Sequence, residues 1–116
     1  MKATIYHNSR CSKCRATLAL LEEHDVDIEM IEYLTNPPTK EKLEELLAML
    51  GMEACDLMRR SEEVYKEQYA DKELSREECL NAMVANPVLI ERPIVVSGGR
   101  AVLGRPPENV LKLIKS

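Results

Sequence analysis

The chain contains no tryptophan and no phenylalanine, so its core has to be filled by leucine, isoleucine, valine and methionine. It lacks any apolar run near the ~20 residues that a membrane-spanning helix requires. It also lacks a basic-then-apolar leader at its start, which makes the cytoplasm the expected compartment. No stretch reads as a linker, and 116 residues suit one domain, 1–116, with a single core. A net basic surface is missing too: the formal charge is −4, which argues against a nucleic-acid partner.

A second close cysteine pair is also absent. The four cysteines are Cys11, Cys14, Cys55 and Cys79, and only the first two form a C-x-x-C. The other pair is far apart on segments that read as helical, so neither a structural zinc nor any other bound metal is expected. Without a secretion leader, an even cysteine count in a chain this long does not imply a disulfide framework. Cys79 lies beside Leu80 and Met83 on an apolar face and is expected in the core. Cys55 receives no assignment.

The charge that is present is unevenly spread. Residues 1–21 carry Lys2, Arg10, Lys13 and Arg15 with no acid, whereas residues 22–78 hold 18 of the 20 acids against seven bases. Residues 79–116 are basic again, with five bases against Glu91 and Glu108. An acidic protein that keeps both ends cationic is suited to a small-anion site where those ends meet, beside an acidic, solvated helical middle.

The first cationic segment carries the chemistry. Ala3 to Tyr6 is β-compatible and Ala16 to Leu21 favours a helix, so Cys11 falls where strand turns into helix. Backbone N–H groups at a helix start point at any anion. The helix dipole, Arg10, Lys13 and Arg15 would all stabilise a thiolate there, and the thiolate is the reactive form. Polar and basic neighbours also argue against burial of this cysteine. Arg15 lies about one turn along on the same face. His7 stands four residues before Cys11; a histidine at a strand end commonly just satisfies a hydrogen bond, and the alternative is an influence on the Cys11 thiol.

Further along, Val26 to Ile31 alternates as a second strand and Asn36-Pro37-Pro38 breaks the chain. Leu43, Leu46, Leu47 and Leu50 form the stripe of an amphipathic helix that Gly51 can end. Ser61 reads as an N-cap before Glu62 and Glu63, and Ser75 with Glu78 reads as a capping box. Ile94 to Val96 is a β-branched run, Gly98-Gly99 signals a hairpin, and Ala101 to Leu103 can return antiparallel. A final helix should begin near Pro106 or Pro107 and bury Val110, Leu111 and Ile114.

The segment from His7 to Arg15 resembles the His-x3-Cys-x3-Arg signature of the glutaredoxin-coupled arsenate reductases, the ArsC family. The similarity extends through Tyr33 to Thr39, Leu57 to Arg60, Asn86 to Val96, and Leu103-Gly104-Arg105-Pro106, and so covers essentially the whole chain. It implies an α/β, thioredoxin-like fold: a four-stranded mixed sheet with a helical insertion, about residues 38–88, between the second and third strands. It implies Cys11 as the nucleophile, and Arg59, Arg92 and Arg105 as the guanidinium groups that hold the oxyanion. His7, Arg15 and Cys14 would assist catalysis, and Arg92-Pro93 would be a cis peptide. The implied protein is a monomer that reduces arsenate to arsenite with no bound cofactor, using glutathione as co-substrate and glutaredoxin as partner.

Cys14 keeps two other readings open. A C-x-x-C can form its own disulfide, as in general dithiol oxidoreductases. Thiol-stress regulators that bind RNA polymerase also share this fold and motif, but they lack the histidine four before the cysteine and the Leu-x-Arg-Pro end. Within the arsenate reductase reading, Cys14 is either a resolving thiol or a weak hydrogen-bond donor to Cys11.

Overall fold

The computed structural model describes residues 1–8 and 10–114. The chain divides into two compact units, one joining residues 1–36 to the stretch from Arg92 onward, the other being Pro37–Glu91.

The first unit opens with β1 (Lys2–His7), α1 (Ser12–Glu23) and β2 (Asp27–Glu32). After the second unit it resumes with β3 (Ile94–Ser97), β4 (Arg100–Leu103), a 3-10 turn (Pro107–Val110) and α5 (Leu111–Ile114). The strands make one four-stranded sheet in the order β2-β1-β3-β4. β1 and β2 are parallel, with Ile5 opposite Met30; β3 is antiparallel to β1 and to β4, so that Ile94 faces Tyr6 on one side and Leu103 on the other. Parallel neighbours need a crossover, which α1 supplies. The β3–β4 hairpin closes instead through Gly98 and Gly99, at φ 59° and 78°, the positive-φ pair that a two-residue turn of this twist demands.

Aliphatic side chains do fill this core. Ala3, Ile5, Leu21, Val26, Val95, Val110 and Leu113 are buried together, with Leu18, Leu20, Ile28, Val102 and Ile114 packed around them. The expected apolar face of the last helix needs one correction: Leu113, not Leu111, is the buried partner of Val110, and Ile114 is half-buried. The chain enters α5 through the 3-10 turn opened by Pro107, and the tighter winding brings residues three apart, Val110 and Leu113, onto one face.

The second unit is helical: α2 (Lys40–Leu50), a 3-10 turn (Ala54–Leu57), α3 (Glu63–Gln68), α4 (Arg76–Ala85) and a 3-10 turn (Pro87–Leu89). Thr39 caps α2 by accepting from the Lys42 N–H at 3.1 Å, Leu43, Leu46 and Leu47 are buried, and Gly51 ends the helix at φ 69°. Ser75 and Glu78 form the expected reciprocal capping box of α4. Ser61 does not cap α3. That helix starts one residue later, after Glu62, because residues 59–62 form a turn in which the Glu62 N–H bonds to the Arg59 carbonyl and the Glu62 carboxylate accepts from Arg59 Nε at 3.1 Å.

The cysteine reading also needs correction. Cys79 is buried as expected, but it is joined to Cys55 in a disulfide with the Cα atoms 5.3 Å apart. α4 packs against the turn Ala54–Leu57 and delivers the two sulfurs to one place across a sequence separation of 24. No spacing rule signals that meeting. Among the described residues, no helix is long and apolar enough to cross a membrane.

Candidate active site

The loop leaving β1 is organised by Asn8. Its carbonyl accepts from the Cys11 N–H at 2.9 Å, and its side-chain oxygen accepts from the Arg10 N–H at 3.0 Å, the double use that makes asparagine a turn residue. Cys11 thereby becomes the N-cap of α1, with extended backbone, and its carbonyl accepts the first helical bond, from Arg15 at 3.1 Å. Contrary to expectation its side chain is buried, only 8% exposed. Its neighbours Arg10, Ser12, Lys13 and Arg15 are exposed, whereas Cys11 itself is buried in contact with Cys14.

Two arginines from the far end of the chain meet it there. Arg105, just past β4, donates from Nε to the Arg92 carbonyl at 2.6 Å and places Nη2 3.9 Å from Cys11 Sγ. Arg92 lies two residues before the start of β3, and the Arg92-Pro93 and Arg105-Pro106 peptides are both cis. Asn109 fixes the segment that carries Arg105, donating to the carbonyls of Leu103 and Arg105 at 3.1 and 3.0 Å.

These neighbours set the protonation of the site. Burial pushes the Cys11 thiol up, but the Cys14 N–H, the Arg92 guanidinium, the Cys14 thiol and the Lys13 N–H outweigh it and hold Cys11 at about 7. Cys14 moves the other way: burial, assisted by the adjacent Cys11 and opposed by the Asn8 N–H and Arg92, raises it to about 12. Near neutrality Cys11 is therefore substantially a thiolate while Cys14 remains a thiol able to donate to it. The Arg92 charge is opposed by burial, yet Cys11 and Tyr33 more than compensate and hold it more firmly protonated than usual. Tyr33, 1% exposed just after β2, is thus electrostatically tied to Arg92.

Gly104 sets how closely α1 approaches the Arg105 segment. Its N–H bonds to the Pro93 carbonyl at 2.9 Å, and the buried Thr17 hydroxyl of α1 donates to its carbonyl at 3.4 Å. A Cβ here would meet Thr17 Oγ1 at 2.5 Å and Pro93 Cγ at 2.8 Å. Gly104→Ala is therefore expected to lower unfolding stability by about 1–3 kcal/mol, the usual cost of overpacking. Urea titration should show the loss, and Thr17→Ala in the same chain should recover part of it, since two residues in contact are coupled. An unchanged midpoint for Gly104→Ala would contradict this packing.

The other residues singled out in the sequence are distributed as follows. His7 ends β1 with its side chain 3% exposed, and its Nδ1 has no hydrogen-bond partner among the described residues. Arg15 is exposed one turn into α1. Arg59 belongs to the helical unit, where its half-buried guanidinium pairs with Glu62 and, at 2.8 Å, with Glu91. Asn8, Tyr33, Thr17 and Asn109 were not identifiable as site residues from the sequence. Only Asn8 had a local signal, as an asparagine between a strand and a helix.

A mixed sheet of this order, with a cysteine of lowered pKa at the first helix start and arginines brought to it from beyond β2, defines a thioredoxin-like protein. The sequence model of the ArsC family matches residues 6–113, and the chain belongs to that family. YfgD, an uncharacterized protein of Escherichia coli K12, is 52% identical over 112 residues, covering 95% of this chain and 94% of that one. An arsenate reductase of Neisseria meningitidis serogroup A is 43% identical over 108 residues, covering 91% and 92%. The solved structure of an arsenate reductase from Vibrio cholerae superposes with a TM-score of 0.92 at 47% identity, covering 97% of each chain.

Proposed function

We propose that this protein is an arsenate reductase in which Cys11 is the nucleophile and glutathione, with glutaredoxin, is the reductant. The observation that carries the reading is a buried thiol held at about 7 by a helix N-terminus and Arg92, with the Arg105 guanidinium 3.9 Å away. Arsenate binds where cationic donors already surround the sulfur. Cys11 Sγ attacks arsenic, an S–As bond forms, and one arsenate oxygen takes up protons and leaves as water. A glutathione thiol then supplies the second sulfur: arsenic gains two electrons and leaves as arsenite, and the two sulfurs are oxidised to a disulfide that glutaredoxin reduces. Across the cycle, one arsenate and two thiols give arsenite, one disulfide and water.

Arg92 and Arg105 offer planar donor forks to the oxyanion and its developing charge. Arg59 is the third guanidinium of this reading, its plane set by Glu62 and Glu91. Arg15 adds positive potential one turn along α1, and His7 orients the strand end from which the Asn8 loop departs. Cys14, kept protonated by burial, acts first as a hydrogen-bond donor to the Cys11 thiolate. No bound metal or organic cofactor enters the cycle, and the working form is a cytoplasmic monomer.

The test is arsenate-dependent NADPH consumption with glutathione, glutathione reductase and glutaredoxin supplied. Consumption that needs both arsenate and glutaredoxin is expected, and consumption indifferent to arsenate would exclude this activity. A second reading, a dithiol oxidoreductase, is favoured by the contact between Cys14 and Cys11. It requires that the chain reduce insulin disulfides and that Cys14→Ser abolish this. On the arsenate reductase reading Cys14→Ser retains arsenate turnover with glutathione.

A further inference from the structure

The Cys55–Cys79 disulfide takes no part in the chemistry proposed for Cys11. It lies in the wall of a pocket of about 460 Å³ within the helical unit, lined also by Arg60, Tyr65, Lys72 and Glu73. The two cysteines are unequal: both line the pocket, but Cys79 is only 1% exposed, whereas Cys55 is half-buried. The carbonyl oxygens of Leu74 and Ser75 lie 3.8 and 3.7 Å from Cys55 Sγ. A disulfide sulfur has no proton to give them, but a Cys55 thiol has. The surroundings thus provide acceptors for the reduced form as well as room for the oxidised one.

We propose that Cys55–Cys79 is a second redox centre of this protein, opened through the pocket by small thiols that carry carboxylate groups. Arg60 and Lys72 outnumber Glu73 at the lining, so an anionic thiol is concentrated there relative to a neutral or cationic one. The pocket's volume suits a small molecule, not a protein surface. The thiolate attacks the sulfur of the more exposed cysteine, Cys55 Sγ. A mixed disulfide forms on Cys55, the Cys55–Cys79 bond breaks, and Cys79 leaves and takes up a proton. A second thiol then attacks the mixed disulfide, releasing the small-molecule disulfide and the Cys55 thiol. Two small thiols are oxidised and one protein disulfide is reduced.

The experiment uses the full chain without arsenate, so its outcome is independent of the Cys11 chemistry. Air-equilibrated protein is exposed at low salt to 3-mercaptopropionate, 2-mercaptoethanol or cysteamine, quenched by alkylation, and mapped site by site by mass spectrometry. Rates are corrected for thiolate concentration and basicity. Opening of Cys55–Cys79 should be about fivefold faster with the carboxylate thiol than with the cationic one, the scale of exposed charge pairs. High salt or the double substitution Arg60→Gln, Lys72→Gln should erase that preference, and the transient adduct should sit on Cys55. The proposal is overturned if the order follows thiol basicity alone, if the double variant keeps the preference, if the adduct sits on Cys79, or if only a protein dithiol opens the bond. It is equally overturned if Cys55 and Cys79 are already free thiols in the air-equilibrated protein.

Discussion

Cys11→Ser is expected to reduce arsenate-dependent turnover to the background of the assay, since a serine hydroxyl in the same place is far too basic to be deprotonated near neutrality. The wild-type thiol carries a matching signature. Its alkylation rate should rise with pH and level off with a midpoint of about 7, while Cys14, raised to about 12, stays unmodified through that range. Alkylation mapped by mass spectrometry against pH checks both, and a chain in which Cys14 reacts before Cys11 would refute the site. Stability follows the same proton. The folded chain releases the Cys11 proton at a lower pH than the unfolded chain, so the native state gains stability as pH rises from about 7 toward the unfolded value near 9. That contribution is complete above the upper limit and is lost as pH falls through about 7. Cys11→Ser should remove this slope from urea midpoints measured across the window.

The second large effect concerns the arginines. Arg92→Ala, Arg105→Ala and Arg59→Ala should each weaken oxyanion binding by about 1.5–3 kcal/mol, the scale of a charge-assisted hydrogen bond. The three should differ at the thiol. Arg92 is one of the groups that lower the Cys11 pKa, so Arg92→Ala should shift the alkylation midpoint upward, whereas Arg105 at 3.9 Å should move it less. Arg105→Lys should not restore binding. An ammonium cannot hold the Arg92 carbonyl through one nitrogen while presenting a second to Cys11 Sγ, as the guanidinium does. Arg100→Ala is the control, because that guanidinium bonds to the Lys112 carbonyl at 3.3 Å. A loss at Arg100 equal to that at Arg105 would mean that general electrostatics, not specific donors, hold the anion.

Much of this site could be read locally. The strand-to-helix junction at Cys11, the capping box at Ser75 and the glycine pair of the hairpin are patterns spanning a few residues, and the backbone there obeys rules of the same range. Arg92 and Arg105 were legible only through likeness to a family, because Arg60 and Arg100 have equally plausible neighbours in the sequence. Ser61 fails as a cap for a related reason: Arg59 competes for Glu62 and moves the helix start.

Propensity, periodicity and capping act over one or two turns, so the order of strands and helices, the aliphatic composition of the core and the position of a cysteine at a helix N-terminus are readable along the chain. Contacts between distant segments bury Cys11, hold Cys14 protonated beside it, bring Arg105 to it across 94 residues and bond Cys55 to Cys79. Each of those outcomes depends on which segments the sheet order and helix packing bring into contact. Burial and charge at a sulfur are then set by neighbours that are close in space and remote along the chain.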